Sequence, residues 1–335
     1  MALEQAWYKN SVWLKALRPL SALFTALARR RRNQYLSGNK PVWQAPVPVI
    51  VVGNISVGGT GKSPLVIWLV NRLRQQGFKP GVVSRGYGAK PTSFPFSVTP
   101  DTLPSEGGDE PVMIARRTSV PLVIDPDRPA AARYLLENFD CNIIISDDGM
   151  QHYALGRDIE IAVVDGQRGF GNGRCLPEGP LREPSERLFS VDFVVVNGKA
   201  EQTPGYGYTE MHLIPGELLP VSADSNLNTV SENQFSSNHA KVHGVAAIGN
   251  PERFFRVLES QGMGVERHAF SDHHAYTMDD FSFADGESII MTEKDAVKCA
   301  HLPLKNAWYL PVDAQLEEVF AERLAECLQA LTSDK

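Results

Sequence analysis

The chain has 335 residues, 43% of them apolar and 21% charged, ordinary values for a soluble globular protein. At about 100–200 residues per domain it forms one large domain or two smaller ones, with core enough to need no disulfide or metal staple. Disordered, collagen-like and disulfide-scaffold classes are excluded.

The formal net charge of −6 is unevenly spread. Residues 1–40 carry eight basic side chains and one acid, leaving 25 basic and 38 acidic residues in the remainder. So acidic a body argues against nucleic acid as a partner. The cysteines Cys141, Cys175, Cys299 and Cys327 lie far apart with no CxxC pair. They read as reduced thiols of a cytoplasmic protein, not as a disulfide framework or zinc site. No apolar run reaches the roughly 18 residues that cross a bilayer, and no secretory cleavage pattern is present. Nothing in the sequence points to an obligate protein partner.

In chain order, Trp13, Leu17, Leu20, Phe24 and Leu27 recur at helical spacing, and Arg29–Arg32 follow directly. The spacing predicts an amphipathic helix within residues 1–32. A stripe bearing Trp and Phe beside a polybasic patch suits a helix lying on anionic lipid, with packing on the protein's own core as the alternative. From Val47 to about Asn197, apolar runs at Pro48–Gly53, Gly81–Ser84, Pro121–Asp125, Asn142–Asp147, Ile159–Asp165 and Asp192–Asn197 read as strands. Helical patterns fall between them at Ser63–Gln76, Asp109–Arg117 and Pro129–Asn138. Continuous β-branched strands alternating with helices predict a doubly wound α/β domain of P-loop NTPase type, mostly parallel, over residues 33–215.

Nine of the twenty residues in Val221–Ala240 are Ser or Asn, which marks 216–240 as a polar linker. Residues 241–335 then read as a second, smaller α/β domain. Its expected strands are Gly244–Ile248, Ser288–Thr292 and Trp308–Pro311, with a helix at Pro251–Gln261 and a closing amphipathic helix at Leu316–Leu331.

The segment Ser56-Val57-Gly58-Gly59-Thr60-Gly61-Lys62-Ser63 lies between a buried strand and a helix, the setting of a phosphate-binding loop. Its backbone N–H groups would wrap a polyphosphate at the positive end of the helix. Lys62 would reach the β- and γ-phosphates and the Ser63 hydroxyl would ligate Mg²⁺. Ser56 replaces the first glycine of the usual pattern, and Val57 stands where partitioning-type ATPases carry an extra lysine.

A second apolar strand ends in Asp147-Asp148-Gly149. Ligands of open α/β sheets sit beyond the carboxyl ends of strands, so Asp147 and Asp148 are candidate Mg²⁺ holders. Other polar clusters stay open on chemistry alone. Gly108-Asp109-Glu110-Pro111 suits a helix start. Asp272-His273-His274 fits a metal pair, a general base with its orienter, or a solvated loop. Arg128 and the Leu181-Arg182-Glu183-Pro184 run offer phosphate clamps or surface ion pairs.

Taken together, these motifs resemble those of the tetraacyldisaccharide 4'-kinase family. The likeness is carried by Gly53 to Pro64, Ser84-Arg85-Gly86-Tyr87-Gly88, Gly108-Asp109-Glu110-Pro111 and Asp147-Asp148-Gly149-Met150-Gln151-His152. Leu181-Arg182-Glu183-Pro184, Asp272-His273-His274 and Thr292-Glu293-Lys294-Asp295 continue it in family order. Ser63 stands where Thr is common, and Met150 where an aromatic is common. The resemblance implies an ATP- and Mg²⁺-dependent transferase of lipid A biosynthesis, phosphorylating the 4'-hydroxyl of an acylated disaccharide 1-phosphate. It implies a peripheral protein at the cytoplasmic face of a bacterial inner membrane, held there by the N-terminal helix. It further implies Asp109 as the base, paired with His273, and Asp147 and Asp148 around the metal. Glu110, Arg128, Gln151, Arg182, Glu183 and Asp272 would line the site. Another small-molecule kinase, or an NTP-dependent ligase on the same sheet, is the nearest alternative. A nucleotide-controlled switch is the other class, but a guanine site wants N-K-x-D and neither Asn197-Gly198-Lys199 nor Thr292-Glu293-Lys294-Asp295 supplies it.

Overall fold

The computed structural model describes residues 3–9, 11–200, 206–222, 241–284 and 286–333. The larger sheet holds β1 (Val49–Gly53), β2 (Pro80–Ser84), β3 (Phe96–Val98), β4 (Leu122–Ile124), β5 (Ile143–Asp147), β6 (Ile159–Asp165), β7 (Phe193–Asn197) and β8 (Thr209–Pro215). The smaller sheet holds β9 (Leu219–Pro220), β10 (Lys241–Ala246), β11 (Gly264–Ala269), β12 (Ser288–Thr292) and β13 (Ala307–Leu310). A last strand, β14 (Val312–Leu316), returns to the larger sheet. The helices are α1 (Leu3–Tyr8), α2 (Arg18–Leu36), α3 (Lys62–Gln75), α4 (Pro104–Gly107), α5 (Asp109–Thr118), α6 (Arg128–Asn138), α7 (Pro251–Ser260), α8 (Glu293–Cys299) and α9 (Glu318–Ser333).

Strand order in the larger sheet is β14-β8-β7-β6-β1-β5-β2-β4-β3, parallel from β8 to β4 and antiparallel at both edges. The central strands β1, β5, β6 and β7 are buried along their whole length, as apolar runs covered on both faces must be. The helix α3 buries Leu65, Val66, Leu69, Val70 and Leu73 on one side of the sheet; α6 buries Ala131, Ala132 and Leu135 on the other. The smaller sheet runs β11-β10-β12-β13-β9 and is parallel except for β9.

Three expectations are corrected. First, β14 pairs antiparallel with β8, and Phe320, Leu324 and Leu328 of α9 join the core of the larger sheet. The expected closing helix of the second domain therefore belongs to the first. The apolar stripe of α9 finds Trp68 of α3 and Phe193 of β7, ring to ring with Phe320 at 5.6 and 5.3 Å. Second, β9 lies inside the stretch expected as a linker and pairs with β13; the Ser/Asn-rich residues from 223 to 240 lie outside the described residues.

Third, the N-terminal stripe is split. A 3-10 segment covers Val12–Leu17, and its tighter turn resets the phase before α2, where Pro19 sits in the first turn. Ser21, Phe24 and Ala28 face the protein, with Ser21 Oγ donating to the Cys175 carbonyl at 2.7 Å. Trp13, Leu20, Leu23 and Leu27 face outward, each 51–57% exposed. Among the described residues, no helix is long and apolar enough to cross a membrane.

Replacing Phe320 with Ala should remove about 3–5 kcal/mol from the unfolding free energy of the larger domain. Urea denaturation followed by far-UV circular dichroism and tryptophan fluorescence checks this, and a change under 1 kcal/mol would detach α9 from that core.

Candidate active site

The crevice lies where the connections of the larger sheet change direction. From β1 the chain runs past β5 to β2, and from β5 it runs past β1 to β6, so a gap opens beyond the ends of β1 and β5. Val52 and Asp147 are register partners there. The loop after β1 and the two acids ending β5 thus lie side by side.

The loop is held by its carbonyls. Those of Gly58, Gly59 and Thr60 accept from Asn54 Nδ2 at 3.4 Å, from Arg168 Nη2, and from Asn197 Nδ2 at 3.0 Å. In a trans peptide the N–H lies opposite the C=O, so the N–H groups of Gly59, Thr60 and Gly61 are turned the other way. Donors turned away from those partners at the start of α3 would suit an anion. Gly58 and Gly61 both have φ of 93°, and a Cβ on Gly61 would strike the Asn197 side chain. Ser56, at the position of the missing first glycine, is buried and bridges to Leu181, while Val57 packs with Trp7 and Leu14. The smaller domain closes on the same loop: a Cβ on Gly249 would lie 2.8 Å from Gly59 N, and Arg168 also donates to the Gly249 carbonyl at 3.4 Å. A cleft of about 300 Å³ alongside is lined by Gln167, Asn197, Lys199, Arg253 and Arg256.

Asp147 and Asp148 have different surroundings. Arg182 forks both oxygens of Asp148 at 2.9 and 3.1 Å, and Lys62 Nζ lies 3.5 Å away. Burial pushes the Asp148 pKa up, but these two cations outweigh it and hold the group far below the carboxylate range. Asp147 is fully buried. Ser84 Oγ donates to its Oδ2 at 3.1 Å and Arg128 to its carbonyl at 3.2 Å, while Oδ1 has no hydrogen-bond partner among the described residues. Burial, with the carboxylates of Glu110 and Asp148, raises its pKa. Arg128, itself buried, is pulled down to about 10 by desolvation in spite of both aspartates.

Opposite stands Asp109, the first residue of α5, where the helix dipole favours an anion. His273 Nδ1 lies 3.0 Å from its Oδ2, and Lys294 Nζ lies 3.5 Å from the same atom. Lys294 also reaches Glu110 at 3.1 Å and Asp272 at 3.3 Å. Burial works against the Asp109 charge, yet the His273 bond and Lys294 win, and its pKa falls to about 2. The bond to Asp109 in turn raises the pKa of His273, against desolvation. Burial disfavours the Lys294 ammonium, but its three carboxylates hold its pKa up. His273 has φ of 59° and packs its ring 4.9 Å from that of Tyr87.

The expected site residues therefore converge. Glu110 and Lys62 both act on the charge of Asp147, so the Asp109 cluster and the loop share one crevice. Gln151 and Glu183 are tied to the start of the loop: Gln151 Nε2 donates to the Asn54 carbonyl at 3.1 Å and to Glu183 at 2.9 Å. His274 turns away and pairs with Asp280 at 3.1 Å. Of the open readings for Asp272-His273-His274, the geometry is that of a histidine hydrogen-bonded to a carboxylate. Sequence reasoning missed Asn54, Arg168, Asn197 and Lys294. Asn54, Asn197 and Lys294 lie within recognisable motifs, but only the fold shows what their side chains hold.

The profile of the tetraacyldisaccharide-1-P 4'-kinase (LpxK) family matches residues 13–329. A tetraacyldisaccharide 4'-kinase of Methylobacillus flagellatus is 51% identical over 98% of this chain and 96% of its own length. That of Azotobacter vinelandii is 48% identical, over 96% of this chain and 94% of its own. The crystal structure of "apo" form LpxK from Aquifex aeolicus in complex with ATP superposes with a TM-score of 0.78 at 28% identity, covering 95% of this chain and 100% of that one. The chain belongs to the tetraacyldisaccharide 4'-kinase family.

Proposed function

We propose that this kinase transfers the γ-phosphoryl group of ATP to the 4'-hydroxyl of a tetraacyldisaccharide 1-phosphate, working as a peripheral protein on the cytoplasmic face of the inner membrane. The observation that carries the site assignment is the anionic Asp109, buried and paired with His273 across from a phosphate loop. The inward N–H groups of the loop and Lys62 bind the β- and γ-phosphates. The orphan Oδ1 of Asp147 and the Ser63 hydroxyl suit a hard cation that seeks oxygen, so these two would hold Mg²⁺. Asp148, taken up by Arg182 and Lys62, keeps those cations aimed at the phosphates. Bound Mg²⁺ supplies charge neutralisation at the phosphate oxygens.

Asp109 orients the acceptor hydroxyl through a free lone pair. As the hydroxyl oxygen bonds to the γ-phosphorus, the bond to the β-phosphate oxygen breaks and ADP leaves. The hydroxyl proton passes to Asp109. A carboxylate of low pKa suffices because the proton moves late in a loose phosphoryl transfer, where positioning matters more than basicity. Arg128 and Arg182 add fixed positive charge near the acids. The outward Leu20, Leu23 and Leu27, with Arg29–Arg32 in the same helix, give an apolar and cationic surface for anionic lipid. Bringing the enzyme to the bilayer avoids extracting acyl chains at about 0.8 kcal/mol per CH₂.

Transfer of labelled γ-phosphate from ATP to a tetraacyldisaccharide 1-phosphate in mixed micelles tests the reaction. Asp109→Ala should lose about 10²–10⁴-fold and Lys62→Ala about 10²–10³-fold. Equal transfer by Asp109→Ala would reduce Asp109 to a helix-start residue.

The Asp109–His273 pair also sets a pH window. Asp109 is lowered from 3.8 to about 2, so its contribution is complete above about pH 4 and is lost as pH falls toward 2. His273 is raised above 6.5, so its contribution is complete below 6.5 and is lost as pH climbs through the folded value. In an NMR titration, Asp109→Asn should shift the His273 midpoint downward; an unmoved midpoint contradicts the pairing.

For the membrane, the Leu20→Ser, Leu23→Ser, Leu27→Ser triple variant should bind phosphatidylglycerol-containing vesicles about 100-fold more weakly, at about 1 kcal/mol per half-buried leucine. Its ATP affinity should not change. Undiminished vesicle binding would remove α2 from the membrane contact.

A further inference from the structure

A second cluster of ligating side chains lies on the smaller sheet. The strands β10 and β11 are parallel neighbours, with His243 opposite Glu266 and Val245 opposite His268. Register partners and residues two apart share a face, so His243, Glu266 and His268 project to the same side. One potential ligand atom from each lies within 4.8 Å of the others. His243 Nδ1 faces His268 Nε2 at 3.1 Å, and the Glu266 carboxylate lies 3.8 Å from the first nitrogen and 3.7 Å from the second.

Two imidazole nitrogens cannot face each other with both lone pairs uncompensated. Either one ring places a proton between them or a cation receives both. Two nitrogens at 2.0–2.1 Å from a tetrahedral Zn²⁺ stand about 3.3 Å apart, so the observed spacing already fits within a few tenths. The rings are also held. His268 stacks on Phe283 at 3.6 Å with planes 8° apart, and the far nitrogen of His243 is 3.9 Å from the Glu287 carboxylate. A carboxylate behind a ligating histidine fixes its tautomer and strengthens it as a donor. His243 is buried, whereas Glu266 stands exposed at the edge strand β11 and leaves a way in from solvent.

We propose that His243, Glu266 and His268 form a binding site for a borderline divalent transition ion of the Zn²⁺ class, separate from the phosphate loop. Two nitrogens and one carboxylate suit Zn²⁺ or Co²⁺ and are poor for Mg²⁺ or Ca²⁺, which want oxygen alone. The ion ties the edge strand to its neighbour. Because β11 runs on into the segment bearing Asp272 and His273, the tie also steadies the arm that reaches Asp109.

The test uses the full chain, stripped with chelator and free of nucleotide and Mg²⁺. Co²⁺ is titrated while its visible spectrum is read, and Zn²⁺ affinity is measured by competition with a chromophoric chelator. Wild type should take up one Co²⁺ with the intense bands of a four- or five-coordinate nitrogen-bearing site, displaced by one Zn²⁺. His268→Gln and Glu266→Gln lie on the edge strand; His268→Gln should weaken binding at least about 100-fold and Glu287→Gln about tenfold. Asp147→Asn should leave the spectrum unchanged. If wild type binds no tighter than His268→Gln, or gives only the weak spectrum of an oxygen site that Asp147→Asn abolishes, the rings share a proton and the proposal fails. Unaltered far-UV circular dichroism keeps loss of fold from imitating loss of the site.

Discussion

The crevice is organised by the need to pair buried charge. Asp109, Glu110, Asp147, Asp148 and Asp272 crowd one opening, and a carboxylate withdrawn from water is tolerated only beside a cation or donor. Lys294 and His273 answer Asp109, Lys294 also serves Glu110 and Asp272, and Arg182 with Lys62 takes Asp148. Asp147 is left with one oxygen unanswered among the described residues. On the proposed reading, that oxygen is where the metal would bind. The balance of charge also explains why two neighbouring aspartates at one strand end are shifted in opposite directions.

The same pairing joins the two domains. Lys294 and His273 follow strands of the smaller sheet and Asp109 opens a helix beside the larger, so the ion pairs at Asp109 tie the two sheets together. Around the phosphate loop the contact is repeated in a different chemistry, through Arg168, which donates both to the loop and to the turn after β10. In this loop the carbonyls of Gly58, Gly59 and Thr60 are each held by a side-chain donor. Two of the three, Asn54 and Asn197, come from the ends of β1 and β7 and are rigidly placed. The helix α9 braces the larger domain from behind, closing a chain that leaves for the smaller sheet and returns.

Much of this was legible in the residues. Runs such as Ile143–Asp147 and Ile159–Asp165 are mostly apolar because both sheet faces are covered, and their short length with β-branched residues favours a buried strand. The phosphate loop was legible because glycine spacing, a lysine and a following helix are all local requirements. The outer strands were not: β3, at one edge, is three residues long, and β8, next to the other edge, is buried only at Met211. Such strands lack the continuous signal, since β3 is too short and most of β8 is only partly buried.

By itself, then, the sequence determined the parallel α/β architecture, the glycine-rich loop between β1 and α3 and the strand end carrying Asp147 and Asp148, because each is set by neighbours within a few residues. Only the tertiary structure decided that β14 and α9 rejoin the first sheet, that α2 turns its leucines outward, and that Lys294 and His273 meet Asp109. Those outcomes depend on which surface is left uncovered and which charge is left unpaired after the chain has folded back on itself. Contacts across 164 residues, as between Asp109 and His273, leave no periodicity to read.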